Sequence, residues 1–116
     1  MMNSEIQKLF KDFTVNGKQI PVCFMRYEGK ETTYITYQEV FTDEVLAGDD
    51  SIISYTDCYD FDIYSKGNYF PVIEAVKEIL EANNWVWNLS NDSGDLYEDE
   101  TGFHHKALNF IHVINV

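Results

Sequence analysis

Three groups of residues have the types that do chemistry: the run Ser65-Lys66-Gly67-Asn68, the histidines His104, His105 and His112, and the carboxylates Asp92, Asp95, Glu98, Asp99 and Glu100. A strand that enters a Lys- and Gly-containing corner and leaves as a helix has the outline of a phosphate loop. Such a loop needs several glycines, so that backbone amides can approach the anion, and a lysine followed by Ser or Thr for phosphate and magnesium. "YSKGNYF" has one glycine, its Lys66 precedes that glycine, and no hydroxyl is placed for the metal. The other reading is a mechanical corner, with Gly67 at positive φ and Asn68 capping the helix that follows.

His104 and His112 share one face of a strand, roughly 26 Å apart at the usual rise, and His105 points to the other face. A zinc site would need its remaining ligands from elsewhere. The five carboxylates are hard-cation ligands by type, but they lack the alternate-residue spacing and terminal glutamate of a calcium loop. They read instead as a solvated acidic hairpin tip. Cys58 with a histidine, oriented by Asp57, has the composition of a nucleophile and its base, yet nothing in the sequence brings them together. Trp85, Trp87, Tyr55, Tyr59, Phe61 and Phe110 alternate at strand spacing with no interleaved base, the pattern of a core rather than of a nucleic-acid stacking platform. The expectation is a protein with no catalytic residues, no cofactor and no metal.

The elements that must position these residues follow from periodicity. Ser4-Glu5-Ile6-Gln7 fits a capping box, and Ile6, Leu9, Phe10 and Phe13 predict an amphipathic helix over 5–13. Asn16-Gly17 is a turn. Residues 19–27, "QIPVCFMRY", alternate as a strand whose Pro21 belongs at its start or on an edge. Glu28-Gly29-Lys30 then closes a tight connection to the strand 32–41, so the pair reads as a hairpin. Residues 42–51 form an acidic loop. A strand resumes over 52–64, in which Asp57 falls in the apolar phase, implying a bulge there or an end that overhangs the core. From Asn68 the period becomes helical, with Val72, Ile73, Val76, Ile79 and Leu80 on one face, Pro71 in the first turn and Asn83-Asn84 at the end. "WVWNLS", an acidic loop and "FHHKALNFIHVINV" close the chain as an antiparallel pair. The predicted fold class is α+β: a two-layer sandwich with a mostly antiparallel sheet of about four to five strands and two amphipathic helices packed beside it.

Composition bounds the function. At 116 residues and 13.5 kDa the chain is one domain, 1–116, with one core. Hydrophobic residues at 45% and aromatics at 16% do not suit a disordered chain. Cys23 and Cys58 stand alone in different segments, which predicts an intracellular, reduced protein. The opening "MMNSEIQKLF" lacks the basic start and long apolar run of a signal peptide, and no segment has the length to span a bilayer, so no membrane partner is expected. The net charge of -12 repels phosphate backbones, which argues against sequence-specific nucleic-acid binding.

"FDIYSKGNYFPVIEAVKEILEANNWVW" followed by "LYEDETGFHHKALNF" resembles the small tail-terminator or tail-completion proteins of long, non-contractile-tailed bacteriophages and of prophages in Gram-positive bacteria. In that family a "DIYSKGNY"-type strand leads into an amphipathic helix, and a "YE.ETG.HHK"-type segment opens the last strand. With "IQKLF", "IPVCFMRYEGKETTYITY" and the acidic loop in the same layout, the likeness covers nearly the whole chain. The resemblance implies a structural virion protein made in the host cytoplasm. It implies a ring of copies, typically sixfold, that caps the tail tube at the head-tail interface, stops its polymerisation and presents a surface to the head-completion or connector protein. Asp43, Glu44, Asp49 and Asp50 are the candidates for facing the lumen or the tube protein, because an acidic lining repels DNA phosphates in transit. Two alternatives remain beside it: another head-tail connector or minor tail protein, and a small-molecule-binding α+β domain.

Overall fold

A computed structural model gives the fold and describes residues 3–46 and 52–115. The chain order is α1 (Asn3–Leu9), β1 (Thr14–Val15), β2 (Lys18–Gln19), β3 (Val22–Phe24), β4 (Thr33–Leu46), β5 (Ile52–Ser65), α2 (Phe70–Ala82), β6 (Trp85–Trp87), a 3-10 turn (Leu89–Asn91), β7 (Leu96–Glu98) and β8 (Phe103–Asn115). β1 and β2 form a separate two-stranded ribbon. The other six strands make one mixed sheet of order β3-β4-β5-β8-β6, with β7 also on β8. This corrects the predicted sheet of four to five strands. The strand not predicted in this sheet is β7, at three residues too short for alternation to announce it, while β3 and β6 fill only three residues each of the strands predicted over 19–27 and at "WVWNLS".

The predicted hairpin of the first two main strands is also overturned. β3 and β4 are parallel, with Val22 opposite Ile35 and Phe24 opposite Tyr37. A parallel return normally needs a long crossover, but a three-residue strand shortens the distance to be regained. Met25, at a φ of 70°, turns the chain out of β3. Pro21 sits just before that edge strand, and its carbonyl accepts from the Ile35 amide at 2.9 Å.

α1 is shorter than the predicted 5–13. Ser4 lies inside the helix, which ends at Leu9, and Asp12 takes a φ of 56°, a left-handed conformation that Asp tolerates better than most residues. Gln7 donates to the Tyr37 hydroxyl at 2.7 Å instead of turning back to cap. Ile6, Phe10 and Phe13 are nevertheless buried, because the turn after the helix delivers Phe13 to the same side. α2 spans nearly its predicted length and buries Val72, Ile73, Val76 and Leu80.

Both helices cover one face of the sheet. Ile35, Tyr37, Tyr59, Phe61, Ile63, Leu108 and Phe110 point towards them and form the core with Ile6, Phe10, Val76, Leu80 and Trp85. The predicted acidic loop over 42–51 is strand as far as Leu46. β4 and β5, 14 residues each, run roughly 46 Å, whereas the 13 residues of α2 span about 20 Å. The sheet therefore outruns its helices, and the molecule is 53 Å long by 27 and 23 Å.

The corner at Gly67 differs from expectation in one respect. Among the described residues the glycines at positive φ are Gly17 and Gly102, not Gly67. The Ser65 hydroxyl accepts from the Gly67 amide at 3.1 Å and makes the turn without a left-handed residue. Asn68 stands one place further out than a helix N-cap, its Oδ1 accepting from the Phe70 amide at 3.1 Å. Nothing lies within 4 Å of a Cβ added at Gly67, so Gly67→Ala is expected to be neutral or to raise stability by up to about 1 kcal/mol through a stiffer unfolded chain. A loss of that size in urea unfolding would restore a special role for the glycine.

Candidate functional site

The side chains of the sheet face turned away from the helices fall into three bands. The band nearest the Gly67 corner is aromatic. By register, Tyr34 lies opposite Tyr64 and Tyr64 opposite His105. The rings stack in that order, with centroids 4.8 and 4.1 Å apart, and Tyr27 stacks on the free side of Tyr34 at 4.6 Å. Phe103 meets Tyr34 edge-on, and Lys66 lies over the Phe103 ring at 5.2 Å. Burial, with Asp62, Tyr34 and Glu98 nearby, pushes the Tyr64 phenol up to about 12. Asp62 comes within 3.8 Å of His105 Nε2.

The middle band is a buried polar network centred on Asn109, which is 2% exposed. Its Oδ1 accepts from Asn88 Nδ2 at 3.0 Å and from the Cys58 thiol at 3.2 Å. Its Nδ2 donates to Asp60 Oδ1 at 2.7 Å and to the Tyr59 carbonyl at 3.5 Å. Burial raises the Asp60 carboxyl above the usual range, so its protonation favours the folded state as pH falls. Burial also pushes the Cys58 thiol up, the opposite of what a nucleophile needs.

The third band is apolar and lies on the overhang. Beyond the helices the sheet continues as an arm of three strands, residues 40–46, 52–58 and 111–115. A register shift between Glu39 and Phe41 leaves Val40 as a bulge, and Phe41, Cys58, Ile111 and Val86 then follow one another across β4, β5, β8 and β6. Val40, Phe41, Val86 and Val113 are exposed. The bulge that Asp57 implied thus lies in β4 rather than in its own strand, and Asp57 marks the overhang. It is buried on the helix side of the arm, accepting from the Thr42 hydroxyl at 2.9 Å, with His112 opposite it and against Trp85.

The histidines are not brought together. His104 and His105 lie on opposite faces near the corner, and His112 is at the root of the arm. The five carboxylates are separated as well. Asp92 accepts from Trp87 Nε1 at 2.8 Å and from the Asn109 amide at 2.7 Å. Asp95 accepts from the Tyr69 hydroxyl, which holds its carboxyl below the usual range with help from Lys106. Glu98, Asp99 and Glu100 are exposed at the β7–β8 turn. Among the described residues no group of three or more His, Cys, Asp or Glu is disposed to hold a metal ion, and no helix is long and apolar enough to cross a membrane.

Of the predicted lumen or tube residues, Asp43 is exposed on the bare face of the arm and Glu44 follows it in β4. Asp49 and Asp50 lie outside the described residues. The predicted core aromatics Trp85, Tyr59, Phe61 and Phe110 are buried, while Trp87 is half-buried under Lys77 at 3.6 Å. The aromatic band was missed because Tyr34 and Tyr64 sit in the polar phase of their strands, and only the strand register shows that they meet.

The tyrosines set an alkaline limit. Tyr59, Tyr64 and Tyr69 are each raised from 10.0 to about 12, chiefly by burial. The unfolded chain releases these protons near pH 10 and the folded chain only near 12, so the stabilisation is complete below pH 10 and lost as pH rises through 12. The part of the tyrosinate absorbance that is lost in Tyr59→Phe, Tyr64→Phe or Tyr69→Phe should therefore develop only together with the change in circular dichroism, above pH 10. Development of that part at pH 10 in a still folded chain would contradict the assignment.

No protein-family model matches the chain, and a comparison with curated proteins finds no match.

Proposed function

We propose that the protein is a tail terminator, a structural subunit that closes a phage tail tube as part of a ring of copies. The observation that carries this reading is the arm. A free-standing domain has no use for three strands that run past their helices and expose Val40, Phe41 and Val113, whereas exposed apolar patches mark contacts with other proteins. The two stretches that resemble tail terminators also support it. In the fold they are neighbours: Tyr64 stacks on His105, Lys66 lies over Phe103, and the Tyr69 ring packs near that of His104. The resemblance thus covers one packed unit rather than two scattered segments.

In this reading the tube protein and the head connector are the partners, and Asp43, Glu44, Asp49 and Asp50 face the tube or its lumen, where carboxylates repel DNA in transit. Replacing all four with Lys should leave thermal unfolding unchanged and sharply lower the infectivity of the phage that carries the change. Normal infectivity would remove these residues from that role. The position of the protein in the virion is tested by electron microscopy of particles carrying a labelled copy. Label at the head-proximal end of the tail tube is expected, and label along the tail or at its distal tip would favour a minor tail protein.

A further inference from the structure

The arm has an open edge. β3 covers the outer side of β4 only as far as Tyr37, whose carbonyl accepts from the Met25 amide at 2.9 Å. Beyond that point no strand or turn of the described residues bonds to this side of β4. The Ile35 amide faces β3. Counting on by twos, with the one residue that the Val40 bulge adds, the amides and carbonyls of Thr42 and Glu44 face outward. From Phe41 to Val45 the ladder to β5 is regular, a run of the usual strand length. Unpaired backbone groups so arranged are the template for another extended chain.

Charge says which kind of chain. No Lys or Arg stands between Lys30 and Lys66, whereas nine carboxylates do. None of the ion pairs among the described residues uses Glu39, Asp43 or Asp57. The Thr42 hydroxyl lies between Glu39 Oε1 and Asp57 Oδ1 and has one hydrogen for the two carboxylates, so one of them lacks that donor at any moment. Both stand on the helix side of the edge, Glu39 exposed and Asp57 buried, while Phe41 is exposed on the other side. We propose that the edge of β4 from Phe41 to Val45 takes an added strand from a partner protein, an extended segment in which Lys or Arg alternates with apolar residues. Its cation settles beside Glu39 and Asp57, and its apolar side chains cover Phe41. The same edge of a second copy is a poor occupant, because antiparallel self-pairing sets Asp43 and Glu44 against like charges. This inference goes beyond the terminator reading and does not depend on it.

The probe is a capped peptide of alternating Lys and Val, added to the wild-type full chain and followed by titration calorimetry. It should bind, and two controls should bind roughly tenfold or more weakly. One is the same peptide N-methylated at every residue, which keeps the charge and loses the backbone bonds; the other is its Glu–Val counterpart. Glu39→Lys should weaken binding of the Lys–Val peptide roughly threefold or more, the scale of an exposed ion pair, with circular dichroism verifying the fold. No binding of the Lys–Val peptide, equal affinity for either control, or no effect of Glu39→Lys would overturn the proposal. So would self-association of the wild-type chain in sedimentation that the peptide abolishes, which would assign the edge to a second copy. Tails of uncontrolled length after gene deletion would still uphold the terminator reading in any of these events.

Discussion

Phe61→Ala should cost about 3–5 kcal/mol, the range for emptying a buried aromatic site and a large part of a small domain's total stability. The Phe61 side chain is 0% exposed, and its ring centroid lies 5.9 to 6.0 Å from those of Phe10, Tyr37, Trp85 and Phe110. These rings come from the turn after α1, from β4, β6 and β8, so a cavity here loosens the helix layer from the sheet and cannot be closed by one side chain relaxing. Phe41→Ala changes the same residue type on the arm and should cost no more than about 1 kcal/mol, because its ring already meets water. Urea unfolding followed by tryptophan fluorescence measures both. Equal costs would contradict the division of the sheet into a covered body and a bare arm.

Asn109→Ala should be nearly as damaging, at roughly 3–5 kcal/mol. All four hydrogen-bonding positions of the side-chain amide are used. Its removal leaves the Asp60 carboxylate without its closest donor, and the Cys58 thiol and Asn88 amide without an acceptor. Asn109→Leu restores volume but no polar group, so it should do little better. Cys58→Ala and Asn88→Ala each remove one spoke and leave Asn109 otherwise bonded, so each should cost about 1 kcal/mol. A Leu variant as stable as wild type would show that the network contributes nothing net.

Much of the body was legible in the sequence. The helical period after Asn68 and the alternation over 52–64 mark α2 and β5 to within a few residues, because both are long and amphipathic. Of the three-residue strands, β3 and β6 were legible as strands but not in their extent, β7 was not legible, and neither was the parallel pairing of β3 with β4. Their placement comes from contacts with residues distant in the chain: Pro21 with Ile35, Trp85 with His112, Leu96 with His105. The arm was half-legible. Asp57 in an apolar phase pointed to a bulge or an overhang, but the extension of β4 through Thr42, Asp43 and Glu44 was masked by their acidic, loop-like composition. Pairing with β5 overrides that composition. The aromatic and apolar bands were hidden for a different reason. Each collects one residue from each of several strands, so it exists only once register is fixed.

Whether the protein ends a growing tail, as proposed, is decided by deleting its gene from a phage that carries it and measuring tail lengths by electron microscopy. A broad length distribution and tails that fail to join heads are expected, both corrected by supplying the wild-type protein. Tails of normal, uniform length in the deletion would contradict that proposal.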